Sequence, residues 1–390
     1  MWLSSRLFQV ALIGWLIIAS NAQKYDPGGK YTAPGRLWGQ ITERHNTCRQ
    51  EGLASDYSGY IPIQGTPKEQ ANIFFWFFEA RHKPQEAPVI LFLNGGPGIS
   101  SIYRVFDGSG PCNFDWQGNI RPNPHSLNEY ANVLYVDQPV GAGFSFGNAN
   151  FTDNKKAGDY LYQFMQHFYY EFPQYGENEF GIWTSDWACT VGISLAERIL
   201  NSTAGLFGRR MGLDDELPIN LALMGLESPK IDPPLQLGYM YMYMSQNPWL
   251  HVQSFQDGEQ ALWRYMDLLE ADLTACSERQ KDDCKKVLKR YRKAIRSSTT
   301  PDGLRTEFDL WDVRDARHNS DRSRNLEMKR TPAARWLNDA KTQAHLGVTG
   351  GKLAREPIKF EPWNIQVLKP FSANQENPGE RVSKTSYMRG

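Results

Sequence analysis

Short apolar runs between residues 72 and 224 constrain the fold of this chain more than any other feature of its sequence. Runs of four to eight residues that are rich in aromatic and β-branched side chains predict strands. They occur at residues 72–78 (NIFFWFF), 88–93 (PVILFL), 133–136 (VLYV) and 221–224, with a weaker one at 180–183. Only a polar connection separates the first two runs, so we expect those two strands to be neighbours in a sheet.

Helical patterns lie between these runs. Residues 160–172 carry apolar side chains at helical spacing up to Pro173, and residues 191–200 continue directly after the fourth run. Strands that alternate with helices predict an α/β fold with a mostly parallel sheet that is covered on both faces.

The character of the chain changes at about residue 240. Strand-like runs nearly vanish there, and charged segments with helical spacing, such as 259–270 and 284–295, take their place. We therefore divide the chain into an α/β core at 23–239 and a helical insertion, or cap, with a polar C-terminal tail at 240–390.

The charges of the chain are balanced. Lys and Arg number 43, as do Asp and Glu, and 41% of the residues are hydrophobic. Global disorder requires low hydrophobicity and a high net charge, so this composition excludes it. A nucleic-acid binder carries a basic excess or a basic stripe, so we expect no nucleic acid as a partner.

The first 22 residues have the pattern of a secretory signal peptide. Arg6 provides the positive charge, residues 7–18 form the apolar centre, and small residues end the segment at Ala22. The apolar centre is shorter than the roughly 20 residues that a membrane-spanning helix needs. We expect segment 1–22 to be removed, and the remaining protein to be secreted or vacuolar and free of the membrane.

Five cysteines become candidates for disulfides once secretion is expected. Cys276 and Cys284 are close enough in sequence to close a local loop, and Cys48 with Cys112 is a second possible pair. The odd number leaves one cysteine unpaired, and the sequence does not fix the connectivity.

The sequence indicates two modification sites and no metal site. Asn150 and Asn201 each begin an N-x-S/T triplet, so they are glycosylation acceptors if they are exposed. Neither a CxxC nor an HExxH motif occurs, so we expect neither a metal nor a cofactor.

Several short motifs follow one another in order along the core. They are SGY at 58–60, NGGPG at 94–98, SGPC at 109–112, NPHS at 123–126, DQPVGAGFS at 137–145 and IDP at 231–233. Together they resemble the secreted serine carboxypeptidases, a family well represented in fungi and plants. The resemblance implies an α/β-hydrolase-like sheet with a helical cap, and it implies peptides or peptide-like molecules as ligands.

The NGGPG segment has a physical role in such a fold. Hydrolysis of an acyl bond builds negative charge on a carbonyl oxygen, and losing one backbone N–H aimed at that charge can cost about 3 kcal/mol. Glycines let the backbone approach without a side chain in the way. The resemblance implies that Gly95 and Gly96 belong to the oxyanion loop, and that Asn94 helps to hold the terminal carboxylate of a substrate.

The nucleophile of the resembled family lies on a sharp strand-to-helix turn with the sequence Gly-Glu-Ser-Tyr-Gly-Gly. This chain has Thr-Ser-Asp-Trp-Ala-Cys there, and alignment from both flanks puts Asp186 at the place of the serine. Thr184, Ala188 and Cys189 replace glycines that relieve crowding at such a turn. Asp186 suits a turn or a helix N-cap, which is the interpretation we favour.

Other functional positions of the family are also changed. Two glutamates that hold the substrate carboxylate by sharing protons correspond here to Ser185 and Gly108. A tryptophan corresponds to Phe92, and Asn94 alone is kept. Serine catalysis needs a base, but no late segment resembles the one that carries the family's catalytic Asp and His, and the last histidine is His345. The resemblance therefore also implies a sheet that is incomplete at its C-terminal edge.

Three interpretations of function remain open. The first is a serine carboxypeptidase-like secreted protein without peptidase activity, with a peptide-binding or vestigial role. The second is a hydrolase in which Asp186 acts as the nucleophile and forms an ester intermediate. The third is an active carboxypeptidase that releases C-terminal residues from peptides, of which this sequence is an incomplete gene product.

Overall fold

A mixed β-sheet organises the part of the chain that the computed structural model describes, which comprises residues 41–42, 45–48, 55–65, 69–151, 153–207, 216–229, 327–349 and 358–367. The strands are β1 Asp56–Gln64, β2 Gln70–Phe78, β3 Val89–Leu93, β4 Cys112–Phe114, β5 Ile120–Pro122, β6 Asn132–Val136, β7 Phe146–Gly147, β8 Phe180–Ser185 and β9 Leu221–Glu227. The helices are α1 Asn154–Glu171, α2 Ala188–Phe207, α3 Pro332–Leu337 and α4 Ala340–His345. Shorter 3-10 turns connect several of these elements.

The main sheet has the strand order β1-β2-β6-β3-β8-β9, with β7 paired to β2. Strands β6, β3, β8 and β9 run parallel, whereas β1, β2 and β7 pair antiparallel. The expectation that the runs at 72–78 and 88–93 are neighbours is wrong, because β6 lies between β2 and β3. The connection between them does not form a hairpin, and the chain returns later to fill the gap.

Both faces of β2 are covered, which explains why this strand is almost continuously apolar. Phe75 and Phe77 face one side and contact aromatic side chains of α1, such as Phe168. Trp76 faces the other side, where its ring stacks on Trp336 of α3 at a centroid distance of 6.1 Å. Burying a side chain such as Phe contributes about 1.5–3 kcal/mol, so the aromatic layers on both faces stabilise this sheet.

The two helices predicted in the core are present and longer than predicted, whereas the predicted helical segments 259–270 and 284–295 lie outside the described residues. Helix α1 begins after Asp153, whose carboxylate accepts a hydrogen bond from the Lys156 N–H at 2.8 Å, as an N-cap does. It ends just before Pro173, which disfavours a helical conformation in the preceding residue. Helix α2 extends the predicted 191–200 by several residues at each end.

Strand β1 is an element that the sequence did not predict. It pairs with β2 over its whole length, but its sequence, DYSGYIPIQ, contains a glycine and a proline and lacks a dense apolar run. The segment before it is fixed by a disulfide between Cys48 and Cys112, with the two Cα atoms 5.2 Å apart. Cys189 is the free cysteine among the described residues, and the expected pair Cys276–Cys284 lies outside them.

Most of the expected cap lies outside the described ranges. Of the parts that are described, 327–349 and 358–360 pack on the face of the sheet opposite α1 and α2, whereas Val367 packs against the cluster on the α1 and α2 side. Strand β9 is the last strand on its side of the described sheet, and the expected lack of further strands concerns residues that mostly lie outside these ranges. None of the described helices has the length and apolar character needed to cross a membrane.

Candidate functional site

The turn that follows β8 carries Asp186 in a left-handed backbone conformation, with φ at +52°. Such a φ is uncommon outside glycine, although Asp tolerates it better than most residues. An N-cap residue has an extended conformation instead, and α2 begins only at Ala188. Asp186 is therefore a turn residue, as expected, but it is not the helix N-cap. The strand, turn and helix reproduce the local architecture of a nucleophile elbow.

Thr184, which replaces the first glycine of this turn, fits because Gly192 leaves space for its side chain. A Cβ atom at Gly192 of α2 would lie 2.5 Å from the Thr184 Cγ2. Thr184 also donates from Oγ1 to the carbonyl oxygen of Gly225 at 3.1 Å. The Cys189 thiol is within 3.6 Å of the carbonyl oxygen of Glu227, and burial raises its pKa. The thiol thus acts as a weak donor between β8 and β9.

The loop 94–98 lies directly against this turn. A Cβ atom added to Gly95 would be 2.6 Å from the Asp186 Cβ and 2.7 Å from the Ser185 carbonyl oxygen. Gly96 has φ at +139°, in the region that favours glycine. The structure therefore brings the predicted oxyanion loop and the predicted nucleophile position together.

Within this loop, Asn94 holds the backbone in place. Its side-chain amide donates to the carbonyl oxygen of Ser100 at 3.1 Å, and its side-chain oxygen accepts from the Gly95 N–H at 3.0 Å. The Asn94 N–H donates to the Ser101 hydroxyl at 3.0 Å. Both ends of the Asn94 side chain and the Gly95 amide are thus engaged inside the loop, and their roles toward a substrate remain predictions.

Asp137 is a buried support for the loop that sequence reasoning missed. Its carboxylate accepts hydrogen bonds from the Ser100 hydroxyl at 2.6 Å, the Ile102 N–H at 3.3 Å and the Phe144 N–H at 3.0 Å. Burial raises the pKa of Asp137 to about 6, and these hydrogen bonds oppose the rise. The sequence analysis did single out the DQPVGAGFS motif, which begins at Asp137. The motif alone did not indicate that this carboxylate binds the segment after the loop.

The segment 358–367 is fixed to the other side of the same loop. Trp363 forms an antiparallel bridge with Ile99. Asn364 donates from its N–H to the Gly98 carbonyl oxygen and from Nδ2 to the Gly141 carbonyl oxygen, both at 2.9 Å. Part of the region predicted as cap and tail therefore helps to form the surroundings of the loop.

An ion-pair cluster lies beside the turn. Arg104 contacts Glu227 and Asp107, each at 3.1 Å, and its guanidinium lies 5.4 Å from the centre of the Phe92 ring. The carbonyl oxygen of Glu227 accepts from the Asp186 N–H at 2.9 Å, which ties the cluster to the turn. Sequence reasoning missed this cluster, because no spacing links residues so far apart.

The two positions that correspond to substrate-binding glutamates are in different surroundings. Ser185 is the last residue of β8 and pairs in register with Glu227. Gly108 is exposed, has φ at +54° and has no atom within 4 Å of the place where a Cβ would be. A side chain at residue 108 would thus have space, but its backbone conformation would be strained.

The described histidines contact other groups. The rings of His45 and His345 have their centroids 4.1 Å apart, and burial together with His45 lowers the pKa of His345. The exposed His82 contacts Glu129 at 3.1 Å. In the described ranges, no group of three or more His, Cys, Asp or Glu residues is arranged to hold a metal. His251 and His318 lie outside those ranges.

The two predicted glycosylation acceptors are both exposed. Asn150 lies between β7 and α1, and Asn201 lies on α2. Both asparagines are therefore accessible for glycosylation, and the glycosylation itself remains a prediction.

Comparisons with known proteins point to one family. A family model for serine carboxypeptidases matches residues 48–387. The chain is 30% identical over 271 residues to carboxypeptidase S1 of Penicillium janthinellum, a match that covers 69% of this chain and 62% of that protein. It is 31% identical over 243 residues to carboxypeptidase Y of Schizosaccharomyces pombe, covering 60% of this chain and 24% of that protein. The matched part of the chain thus covers less than two thirds of the length of each of these relatives.

Among solved structures, the fold is similar to that of Kex1(Δ)p, a prohormone-processing carboxypeptidase from Saccharomyces cerevisiae. The TM-score is 0.61 at 18% sequence identity, and the match covers 84% of this chain and 68% of that chain. At this identity the likeness establishes the fold.

Proposed function

We propose that this chain, which belongs to the serine carboxypeptidase family, has kept the scaffold of the family but lacks its peptidase activity. The observation that carries the proposal is Asp186, at the tip of the turn where the serine aligns and in contact with the loop at Gly95. A carboxylate there provides no hydroxyl group for a base to activate.

Electrostatics support the same conclusion. Acyl transfer builds negative charge on the carbonyl oxygen, and one donor in the oxyanion hole contributes about 3 kcal/mol. Two like charges about 4 Å apart repel by about 4 kcal/mol at an effective dielectric constant of about 20. A carboxylate at the tip of the turn would therefore cancel the gain from such a donor.

We further propose that the protein follows the secretory pathway, to the outside of the cell or to a vacuole, and binds a peptide or peptide-like ligand. The signal-like segment 1–22 and the disulfide Cys48–Cys112 support secretion, since disulfides persist in oxidising compartments. The family's peptide chemistry and the retained loop 94–98 support the choice of ligand.

A second candidate function follows from the backbone of Asp186. Its φ of +52° is the sharp geometry that exposes a nucleophile. In this alternative, a carboxylate oxygen attacks an alkyl carbon, the leaving group departs with its bonding electrons, and water then hydrolyses the ester.

Diisopropyl fluorophosphate tests the proposal directly, because an activated serine hydroxyl displaces its fluoride and gains a phosphoryl group. We expect the intact mass of the protein to stay unchanged, while a known serine hydrolase in the same solution is labelled. An adduct that maps to Ser185 would overturn the proposal. A substrate-derived ester on Asp186, found by peptide mass spectrometry, would favour the second candidate.

A further inference from the structure

Arg104 is held more firmly than its two ion-pair partners. Its side chain is 23% exposed and lies over the Phe92 ring, a cation–π arrangement. The carboxylates of Glu227 and Asp107 are 43% and 55% exposed. Ion pairs at such exposure stabilise a protein only weakly, so another anion can replace either carboxylate at little cost.

Two buried hydrogen-bond donors, one in this guanidinium and one beside it, have no partner among the described residues. Among the described residues, neither the Arg104 Nε nor the Tyr135 hydroxyl has a hydrogen-bond partner, although both atoms are buried. The Tyr135 ring lies 5.4 Å from the Phe92 ring, on the adjacent strand. Arg104 acts electrostatically on Tyr135, opposing the effect of burial, which raises the pKa of that hydroxyl. Unsatisfied buried donors of this kind call for an acceptor that the described residues do not supply.

The position of these groups connects them to the turn at Asp186. The backbone oxygen of Glu227 accepts from the Asp186 N–H, whereas the Glu227 side chain reaches Arg104. The carboxylate of Glu227 can therefore leave Arg104 by side-chain rotation while its backbone contact with the turn persists.

We propose that Arg104, lying on Phe92 and next to Tyr135, is a subsite for the carboxylate of a ligand, and that Glu227 occupies it when no ligand is bound. A planar guanidinium matches a carboxylate with two parallel hydrogen bonds. The ligand carboxylate displaces that of Glu227, which returns to solvent. Of the positions that the sequence resemblance assigned to the substrate-carboxylate constellation, the subsite uses Phe92 but not Asn94, Gly108 or Ser185.

The carboxylate can come from a small organic acid or from the free C-terminus of a peptide. The peptide source rests on the proposed function, whereas the subsite itself does not. Hippurate (N-benzoylglycine) and its amide differ only in the carboxylate, so they test the subsite. An N-blocked tripeptide with a free C-terminus then tests the peptide source.

The experiment measures binding of these probes by isothermal titration calorimetry to the wild type and three variants. We expect hippurate to bind and its amide not to bind. Glu227→Gln removes the competing carboxylate, and relief of about 1 kcal/mol corresponds to about fivefold tighter binding. Arg104→Met should weaken binding at least about tenfold, the loss of a charge-assisted contact of about 1.5 kcal/mol or more. Arg121→Met removes a more exposed arginine of β5, which pairs with Asp115, and should not change the binding of hippurate.

Three results would overturn the subsite: no binding of hippurate by the wild type or by Glu227→Gln, equal binding of acid and amide, or unchanged binding in a folded Arg104→Met. If circular dichroism shows that Arg104→Met is unfolded, Glu227→Gln and the acid–amide pair decide the question. Hydrolysis of the tripeptide would contradict the proposed function while leaving the hippurate result intact.

Discussion

Gly95 and Asp186 are so close that a methyl group on residue 95 would lie 2.6 Å from the Asp186 Cβ. Real Cβ atoms do not approach each other to this distance. The loop 94–98 and the turn after β8 are therefore fitted to each other, and the fit does not depend on a serine at residue 186. This complementarity is the structural relationship on which the candidate site rests.

Gly95→Ala should destabilise the protein by about 1–3 kcal/mol, because the backbone on both sides of the contact must shift. Urea unfolding measures the change. Gly176→Ala is the matched control, since Gly176 has φ at −63°, a conformation that alanine adopts readily, and should be nearly neutral. Equal effects of the two substitutions would contradict the close contact.

Asp137 should make stability depend on pH in an unusual direction. Its folded pKa of about 6 exceeds the unfolded value of about 3.9. The folded state therefore holds the proton more tightly, and the contribution of this group is largest below about pH 4. It should decrease by about 3 kcal/mol as the pH rises through about 6.

Comparing wild type with Asp137→Asn isolates this contribution. The difference between their free energies of unfolding, measured in urea from about pH 3 to 7, should change by most of that amount across the range. A constant difference would show that the protonation of Asp137 is not coupled to folding.

His345 should make the stability of the protein depend on pH in the opposite direction to Asp137. Burial and the neighbouring His45 lower its pKa in the folded state, and Asp56 opposes them. A depressed histidine stabilises the fold above its unfolded pKa of about 6.5, and this contribution is lost as the pH falls below that value.

His345→Gln should therefore lose less stability than the wild type between pH 7.5 and pH 5, as measured by thermal unfolding. His82→Gln, at an exposed site, is the control and should follow the wild type. An identical pH dependence of wild type and His345→Gln would exclude the coupling.

The disulfide Cys48–Cys112 spans 64 residues of sequence. A cross-link over a loop of this length removes unfolded-state entropy worth about 4 kcal/mol in the chain-entropy model. The double variant Cys48→Ser, Cys112→Ser should lose about 2–4 kcal/mol in urea unfolding. The same loss should appear on reduction of the wild type, and reduction of the double variant should have no effect. No loss in either experiment would contradict a stabilising bond.

Most strands that the sequence predicted are buried on both faces, although the run 221–224 also predicted β9, which is only partly buried. Strands β2, β3 and β6 form dense apolar runs because neither of their faces meets water. Strand β1 escaped prediction because Gly59 and Pro62 interrupt its pattern. The order of the strands was also missed. Apolar runs do not indicate that a strand later in the sequence, β6, lies between β2 and β3.

The candidate site likewise has one part that the sequence predicted and one part that it did not. Asp186 was identified because its flanking strand and helix keep the spacing of the resembled family, but its left-handed backbone follows only from the folded turn. Arg104 and Glu227 lie 123 positions apart, and no local pattern relates two charged residues over that distance. Sequence reasoning missed the contacts between residues that are distant in sequence and meet only in the folded chain.

The most direct test of the central claim is the release of C-terminal amino acids from N-blocked dipeptides, followed by chromatography with wild-type protein and Asp186→Ala side by side. The claim that the scaffold persists without its peptidase activity predicts no release by either protein above the buffer control. Release by the wild type that Asp186→Ala abolishes would contradict it.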